Sequence, residues 1–260
     1  MAAQPWRRSS VWWAGSEPLQ MYLGQATVAV WAPAVASAGV QWLSTETVQE
    51  GCARGMELLN TGERRPRRDR LAVWLSGTLA RPFIFEPVQG LRKWSEAQAI
   101  AASLAPEVTG LQGPCDVWLD DWSPGKSCIA IAHDRSVREL LESSARANGV
   151  RLTALCPWWV KALNEARRKD ATSTRILAVE EIEALTILSG GHARFEAAAS
   201  YVPRPNEDQT KALVTRALLN AYALGSDGVR ASMHRGDGLL EARITRFPTA
   251  PFSVQFESVT

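Results

Sequence analysis

The tripeptide Gly125-Lys126-Ser127 is the segment of this sequence that comes nearest to a phosphate-binding loop. Such a loop needs a further glycine five residues before its second glycine, because the backbone has to curl around the phosphates, and a helix has to follow. Asp120 stands at that position, and a short apolar run typical of a strand comes after Ser127. The sequence therefore predicts a hairpin turn here and no nucleotide site.

Acidic residues are grouped at two places where they could bind a metal or transfer protons. Asp120 and Asp121 could form a carboxylate pair, but adjacent strand residues point to opposite faces of a sheet. Glu180, Glu181 and Glu183 could bind a cation, yet neither glycine nor asparagine accompanies them. We interpret the aspartates as a solvated strand end and the glutamates as exposed turn charge, so no metal site is predicted.

The histidines and cysteines lack the spacing of metal or catalytic sites. No histidine has a cysteine or histidine partner at ligand spacing, and structural or surface roles are assigned to His133, His192 and His234. No Gly-x-Ser-x-Gly sequence supports a hydrolase nucleophile. No Cys-x-x-Cys spacing occurs, so reduced structural thiols in a cytosolic protein are predicted for Cys52, Cys115, Cys128 and Cys156.

A basic run over Arg64–Arg70 could contact phosphates or another anionic surface. No aromatic residue interleaves with it, Pro66 lies inside it and Glu63 precedes it, so it is interpreted as a solvated loop. The net charge of +2 gives no global field that would attract nucleic acid. Nucleic acid is therefore not an expected partner.

Six of the eleven tryptophans are assigned a role, four as core residues and two as candidates for a partner anchor. Four lie on predicted strands and are expected in the core: Trp31, Trp42, Trp74 and Trp118. Trp158 and Trp159 are adjacent at the start of a predicted helix, where neighbours point about 100° apart. At least one of the two is expected to be exposed, where it could anchor a partner.

A three-stranded meander that occurs twice organises the elements that carry these residues. The strands of the first copy are predicted over Gln20–Leu23, Thr27–Trp31 and Val40–Ser44. Those of the second are predicted over Ile176–Val179, Ala184–Leu188 and Ala193–Ser200, with turns over Glu180–Glu183 and Ser189-Gly190-Gly191. Helices and further strands follow each copy, which predicts two related half-folds.

Further elements are predicted between and after the meanders. A helix with one apolar side covers Val48–Leu59, strands cover Leu71–Leu75 and Phe83–Val88, and Ser95 with Gln98 predicts a capping box for a helix to Leu104. A hairpin pairs Asp116–Asp121 with Ser127–Ala132. Then come a helix from Asp134 to Asn148-Gly149, a strand over Val150–Leu155 and helices starting at Pro157 and Pro205–Asp208.

The strand–helix–strand unit from Ser127 to Leu155 predicts a parallel crossover and an α/β layer. Residues 229–260 are expected to be extended, with no role assigned. A hydrophobic content of 46% and a charged content of 22% are ordinary for a soluble globular protein. No apolar run of about 18 residues appears, and the N-terminus lacks the features of a secretory signal. We therefore expect no membrane span and a poorly ordered lead-in over 1–18.

This order of elements resembles the actin-like, ribonuclease-H-like fold, and more narrowly the pilus-assembly protein PilM and the cytoplasmic domain of GspL from type II secretion. The resemblance lies in Tyr22–Val30, Ile129–Ala132, Asp134–Pro157 and Ile176–Ala199, and it covers most of residues 20–225. It implies an α/β fold of two actin-like subdomains, with mixed sheets flanked by helices and reduced in size. The first subdomain is expected over 19–170 and a smaller second one over 171–260.

In the nucleotide-binding members, the first turn of each meander carries an Asp-x-Gly sequence. The Asp organises a metal–phosphate complex, and the glycine backbone approaches the phosphate. Here the first turn keeps Gly24 but has Tyr22 where the Asp belongs, and the second has Glu180 and Glu181 and no glycine. The resemblance thus implies a degenerate nucleotide site, so that no cofactor, catalytic residue or enzymatic activity is expected.

The resemblance implies a non-catalytic scaffold for a type IV pilus or type II secretion-like inner-membrane assembly platform. Such a scaffold would be cytoplasmic and peripheral to the inner membrane, bound to the cytoplasmic segment of a membrane platform protein, with the motor ATPase as a second candidate partner. A divergent actin-like ATPase or sugar-kinase-like enzyme stays open as the alternative, motivated by Gly24 and the acidic second turn. A nucleic-acid-processing protein using the arginine run is a third hypothesis, although the acidic triad of ribonuclease-H-type nucleases is missing.

Overall fold

The computed structural model describes residues 18–31, 41–60, 70–169, 174–190, 195–223, 230–236 and 242–246. The predicted lead-in up to residue 17, the arginine run before Arg70, His192 and Gly191 lie outside the described residues. So do the side chains of three residues on described strands, Trp31, Trp42 and His234.

The chain forms two compact units, and each is built from two stretches of sequence. Unit 1 consists of Met1–Ser76 and Ser136–Trp158, and unit 2 of Gly77–Arg135 and Trp159–Thr260. The subdomains predicted over 19–170 and 171–260 follow the repeat along the chain and stay a prediction.

Unit 1 contains a five-stranded mixed sheet. Its strands are β1 (Leu19–Leu23), β2 (Thr27–Trp31), β3 (Gln41–Ser44), β4 (Arg70–Leu75) and β8 (Arg151–Pro157), in the order β3-β2-β1-β4-β8. The first three strands are antiparallel, which confirms the first predicted meander. β4 then joins β1 in parallel, and β8 joins β4 in parallel.

Two helices accompany this sheet, α1 (Val48–Asn60) and α3 (Arg135–Ala147). The helix predicted over Val48–Leu59 is confirmed, and Cys52, Met56 and Leu59 are buried. A Cβ at Gly55 would lie 2.5 Å from Met21 Sδ, so this glycine lets α1 approach β1 closely. At the end of α3 the predicted stop is confirmed, because Gly149 adopts the left-handed φ of 68°.

Unit 2 contains the second meander. A five-stranded sheet consists of β9 (Thr174–Glu180), β10 (Leu185–Gly190), β11 (Phe195–Tyr201), β12 (Arg230–Gly236) and β13 (Ala242–Arg246), in the order β11-β10-β9-β12-β13. The meander strands are antiparallel, and β12 joins β9 in parallel. Ser189 and Gly190, predicted as a turn, instead belong to β10. Helix α5 (Glu207–Ala223) buries Val214 in a core with Ile176 and Ile187.

Unit 2 also contains a three-stranded antiparallel sheet in the order β5-β7-β6. Its strands are β5 (Ala80–Phe85), β6 (Cys115–Leu119) and β7 (Cys128–Asp134), and α2 (Trp94–Thr109) shares their core. The predicted hairpin of β6 and β7 is confirmed. Helix α4 (Trp158–Lys169) follows β8.

The predicted crossover from β7 through α3 to β8 is wrong. β7 pairs with β5 and β6, whereas β8 pairs with β4 in the sheet of unit 1. The parallel neighbour of β8 therefore lies earlier in the chain than β7, with Leu71 opposite Leu152. The spacing of apolar residues identifies a strand, but it does not identify the strand with which that strand pairs.

The predicted capping box at Ser95 and Gln98 is also wrong. The residue before α2 is Lys93, with no side-chain cap hydrogen bond, and Gln98 Nε2 donates to the carbonyl of Val117 at 2.8 Å. The helix runs past Leu104 to Thr109 and ends where Gly110 adopts a φ of 71° and its N–H donates to the carbonyl of Pro106.

The two five-stranded sheets share one arrangement. In both, an antiparallel meander places its first strand inside the sheet, and a later strand pairs in parallel with that first strand. Helices accompany both sheets, so the predicted α/β class with mixed sheets flanked by helices is confirmed. Among the described residues, no helix is both long enough and apolar enough to cross a bilayer.

Candidate functional site

The first turn of each meander is a candidate site within its own unit. The turn between β1 and β2, in unit 1, closes on its own backbone. The N–H of Gly24 donates to the carbonyl of Thr27 at 2.7 Å, and the N–H of Thr45 donates to the carbonyl of Ala26 at 2.8 Å. The N–H of Gly24 is therefore used to close the hairpin.

Tyr22, at the position where the sequence resemblance implies an Asp in nucleotide-binding proteins, is completely buried. Its ring packs edge-to-face on Trp158, with ring centroids 6.0 Å apart and an interplanar angle of 89°. Trp158 makes a contact of the same geometry with Trp74, which lies opposite Tyr22 on β4. Such aromatic pairs stabilise a packed core and provide no anionic ligand for a metal ion. We name these three residues the aromatic cluster.

The expected exposure of Trp158 or Trp159 is wrong, because their exposed fractions are 3% and 1%. Trp158 enters the aromatic cluster of unit 1. Trp159 belongs to unit 2, where its indole N–H donates to the carbonyl of Ala80 at 3.0 Å. Although the two side chains point in different directions, each direction leads into packed protein. Trp74 and Trp118, expected in the core, are half-buried.

The second turn, between β9 and β10, is closed by the N–H of Glu181, which donates to the carbonyl of Ala184 at 2.8 Å. The interpretation of its glutamates as exposed charge is wrong for two of them. Glu180 and Glu181 are only 7% and 3% exposed, whereas Glu183 is half-buried. A buried carboxylate needs hydrogen-bond donors or a cation to offset its lost hydration.

Gly77 supplies a donor for Glu181. Its N–H lies 3.1 Å from Oε1 and 3.2 Å from Oε2 of the Glu181 carboxylate. The next residue, Thr78, donates its hydroxyl to Glu183 Oε2 at 3.2 Å. Gly77 and Thr78, which follow each other in the turn after β4, therefore donate to two carboxylates of the second meander turn. We name residues 77–79 the Gly77 turn.

Arg204, in the segment between β11 and α5, supplies the nearby positive charge. Its Nε lies 3.8 Å from Glu180 Oε1, and its Nη1 donates to the carbonyl of Glu181 at 3.3 Å. The second turn is therefore occupied by contacts within unit 2. Neither Gly77 nor Arg204 was predicted from the sequence. Their roles come from contacts with glutamates that lie far away in the chain, and no local sequence pattern indicates such contacts.

The remaining candidate residues are not assembled into a site. Gly125 sits in a turn with a φ of 74° and is followed by β7, as predicted for a hairpin. Asp120 and Asp121 follow the end of β6; Asp121 is exposed with a φ of 51°. Fully buried His133 has its ring 4.5 Å from that of Trp118, and its Nδ1 lies 3.1 Å from the carbonyl oxygen of Asp134.

All four cysteines are free thiols, as predicted. Burial raises the pKa of Cys128 to about 12, with a further contribution from the nearby charge of Asp120. Burial alone raises the pKa of Cys156 to about 11. The pKa values of Cys52 and Cys115 are raised as well, chiefly by burial. Thiols of this kind are poor nucleophiles and poor metal ligands at neutral pH. In the part of the chain that the structure describes, no three His, Cys, Asp or Glu residues are grouped so as to hold a metal.

Neither a family model nor a curated protein matches this sequence. Similar solved structures include the cytoplasmic domain of EpsL, an inner membrane component of the type II secretion system of Vibrio cholerae, at 10% identity over 72% of this chain and 71% of that one, with a TM-score of 0.46. A Bacteroides thetaiotaomicron protein with an actin-like ATPase fold and unknown function is 11% identical over 82% and 79%, with a TM-score of 0.47. The PilM-PilN type IV pilus biogenesis complex is 13% identical over 81% and 66%, with a TM-score of 0.49.

The strand order within each unit supports the fold independently of these comparisons. The meander and its added parallel strand occur in both units, which agrees with the mixed sheets that the sequence resemblance implied. Each unit therefore contains a mixed α/β sheet of the kind expected from the sequence resemblance to the actin-like, ribonuclease-H-like fold.

Proposed function

We propose that this protein is a non-catalytic cytoplasmic scaffold of a type IV pilus or type II secretion-like inner-membrane platform. One observation carries the proposal: the first turn of each meander is occupied by contacts of the chain itself. The aromatic cluster buries Tyr22, and the Gly77 turn donates to Glu181 and Glu183.

A nucleotide would need different chemistry at both turns. At the first, a carboxylate would have to reach a metal ion, whereas Tyr22 is an aromatic side chain inside the core. At the second, backbone N–H groups would have to face a phosphate, whereas the N–H of Glu181 donates to the carbonyl of Ala184 and the Glu181 carboxylate accepts from Gly77. Glu180 and Glu181 would add repulsion, because like charges at short distance raise the free energy of binding.

The partner class is taken from the sequence resemblance to PilM-type proteins and the GspL cytoplasmic domain. The scaffold would bind the cytoplasmic segment of a membrane platform protein, with the motor ATPase of the same system as a second partner. Attachment to the inner membrane would then run through a protein partner and need no membrane span in this chain.

Capture from cross-linked membranes of the native host, followed by mass spectrometry, tests this function. We expect an inner-membrane platform protein, or the ATPase of a pilus or secretion system, to be enriched with the tagged protein. The control is the same capture from host membranes that carry the protein without its tag. A capture that holds neither kind of component above this control would contradict the function.

A further inference from the structure

The Gly77 turn has the features of an anion-binding turn. A backbone N–H and the hydroxyl of the next residue both donate to carboxylate oxygens, at 3.1 Å and 3.2 Å for Gly77 and 3.2 Å for Thr78. Hydrogen bonds to charged acceptors are stronger than those between neutral groups. The anions bound by this turn are two carboxylates of the same chain, Glu181 at Gly77 and Glu183 at Thr78.

The residue type at Gly77 fits this role. A Cβ there would lie 3.1 Å from Glu181 Oε1, 3.2 Å from Ala184 Cβ and 2.7 Å from Thr186 Oγ1. Only glycine lets the backbone come this close to the carboxylate, as glycines do where a backbone approaches a ligand. The carboxylate position is therefore defined by the backbone as well as by Glu181.

Burial makes the contact specific. Glu181 is 3% exposed and Gly77 is buried, so water cannot readily replace either partner of their hydrogen bonds. Loss of the carboxylate would leave the N–H of Gly77 without its acceptor in a buried place, and such a donor favours any small anion that fits. Arg204 stays near and offsets the charge of Glu180.

We propose that the Gly77 turn is an oxyanion site whose permanent ligand is the Glu181 carboxylate, and that a small free oxyanion binds there once this carboxylate is removed. The ligand class is a carboxylate or phosphate of the size of acetate or inorganic phosphate. This inference rests on the proposed loss of nucleotide binding. It adds a cause for that loss, namely that the Glu181 carboxylate of the second turn already occupies the anion site of the Gly77 turn.

Chemical rescue of the Glu181→Ala variant tests the proposal. Thermal unfolding is followed in acetate, in phosphate and in chloride at equal ionic strength. We expect acetate to raise the midpoint by roughly 3–6 °C over chloride at a tenfold excess over Kd. The same measurement is made in phosphate. We expect phosphate to raise the midpoint more in the Glu181→Ala/Glu183→Ala variant than in Glu181→Ala, because a second negative charge near the site has been removed.

The unaltered chain and the Glu196→Ala variant are the matched controls, because Glu196 is an exposed glutamate on β11 of the same unit. Neither should respond to acetate beyond its response to chloride. If the folded Glu181→Ala variant responds no more than these controls to either anion, the proposal is overturned.

A second variant keeps the test decisive if Glu181→Ala does not fold. Glu181→Gln keeps the volume and one acceptor oxygen but loses the charge. We expect the Gly77 amide proton to move upfield and its hydrogen exchange to accelerate by about tenfold. An unchanged resonance and exchange rate would show that the carboxylate is not the ligand of this turn. Because capture of a platform protein does not depend on this result, each proposal can fail without the other.

Discussion

Tyr22 and Gly77 decide what the two first turns can do. Tyr22 places a buried ring of the aromatic cluster next to the first turn, and Gly77 brings a backbone N–H to the Glu181 carboxylate of the second. The ring provides no metal ligand at the first turn, and the Gly77 N–H engages the carboxylate of the second. Both leave the meanders intact, since each turn is still closed by its backbone hydrogen bond.

Restoring the carboxylate at position 22 should not restore a site. Tyr22→Asp removes a fully buried ring and places a charge among aromatic side chains, so we expect the free energy of unfolding to fall by about 3–5 kcal/mol. Urea unfolding followed by tryptophan fluorescence measures this. Tyr22→Phe keeps the ring and is the control, with a much smaller loss. A folded Tyr22→Asp protein of unchanged stability would contradict the packing described for Tyr22.

Substitution of Gly77 tests the close approach at the second turn. Gly77→Ala should lower the free energy of unfolding by about 1–3 kcal/mol, because the new Cβ would lie 2.7 Å from Thr186 Oγ1. A double-mutant cycle with Thr186→Ala removes that atom, so the cost of Gly77→Ala should be smaller in the variant background. Additive losses would contradict a clash between these two residues.

The buried thiols predict a pH dependence. With the pKa of Cys128 raised from 9.0 to about 12, the unfolded chain loses this proton at lower pH than the folded protein. The stability contributed by the neutral thiol is complete below pH 9 and is lost as the pH rises towards 12. At pH 8, iodoacetamide should modify Cys128 about 1000-fold more slowly in the folded than in the urea-unfolded chain. Equal rates in the two states would contradict this burial.

Helix starts show how element-scale sequence signals can succeed or mislead. At α5 the Asn206 side chain accepts the N–H of Gln209 at 2.9 Å, and the Gln209 side chain accepts the N–H of Asn206 at 3.1 Å. This is a reciprocal capping box. At α2 the predicted box is absent, because Gln98 is used by the carbonyl of Val117 on β6. The same local pattern can serve tertiary packing instead of the cap.

The two helix starts give a matched pair of variants. Asn206→Ala should lower the free energy of unfolding by about 1 kcal/mol, because the N–H of Gln209 loses its acceptor. Ser95→Ala should change it by less than about 0.5 kcal/mol, because no side chain caps α2. Denaturant titration of both variants checks the difference. Equal losses would contradict the assignment of the caps.

Strands were predictable where their partners are close in sequence. The meanders follow from short apolar runs and turns, so β1 with β2 and β9 with β10 could be paired from the sequence. The partner of β8 could not be predicted in this way. Its parallel neighbour β4 lies far earlier in the chain, and all three strands of the β5-β7-β6 sheet come between them in the sequence. Periodicity reports which face of a strand is buried and carries no information on a distant neighbour.

For the whole molecule, the sequence predicted the fold class and the loss of phosphate-binding residues, but not what replaces them. The residues missing from each first turn are a local feature. Gly77 and Glu181 are 104 residues apart, and Tyr22 and Trp158 meet only when β1, β4 and β8 assemble. The replacement contacts depend on the folded chain, so they required the structure.

The central claim is that neither first turn binds a nucleotide. Calorimetric titration of the unaltered protein with Mg-ATP tests this claim most directly. Because Tyr22 is buried in the aromatic cluster and the N–H of Gly77 already donates to Glu181, we predict only the heat of dilution up to millimolar nucleotide. A saturable heat with a Kd below about 1 mM would contradict the proposed nucleotide-free scaffold and favour a divergent ATPase.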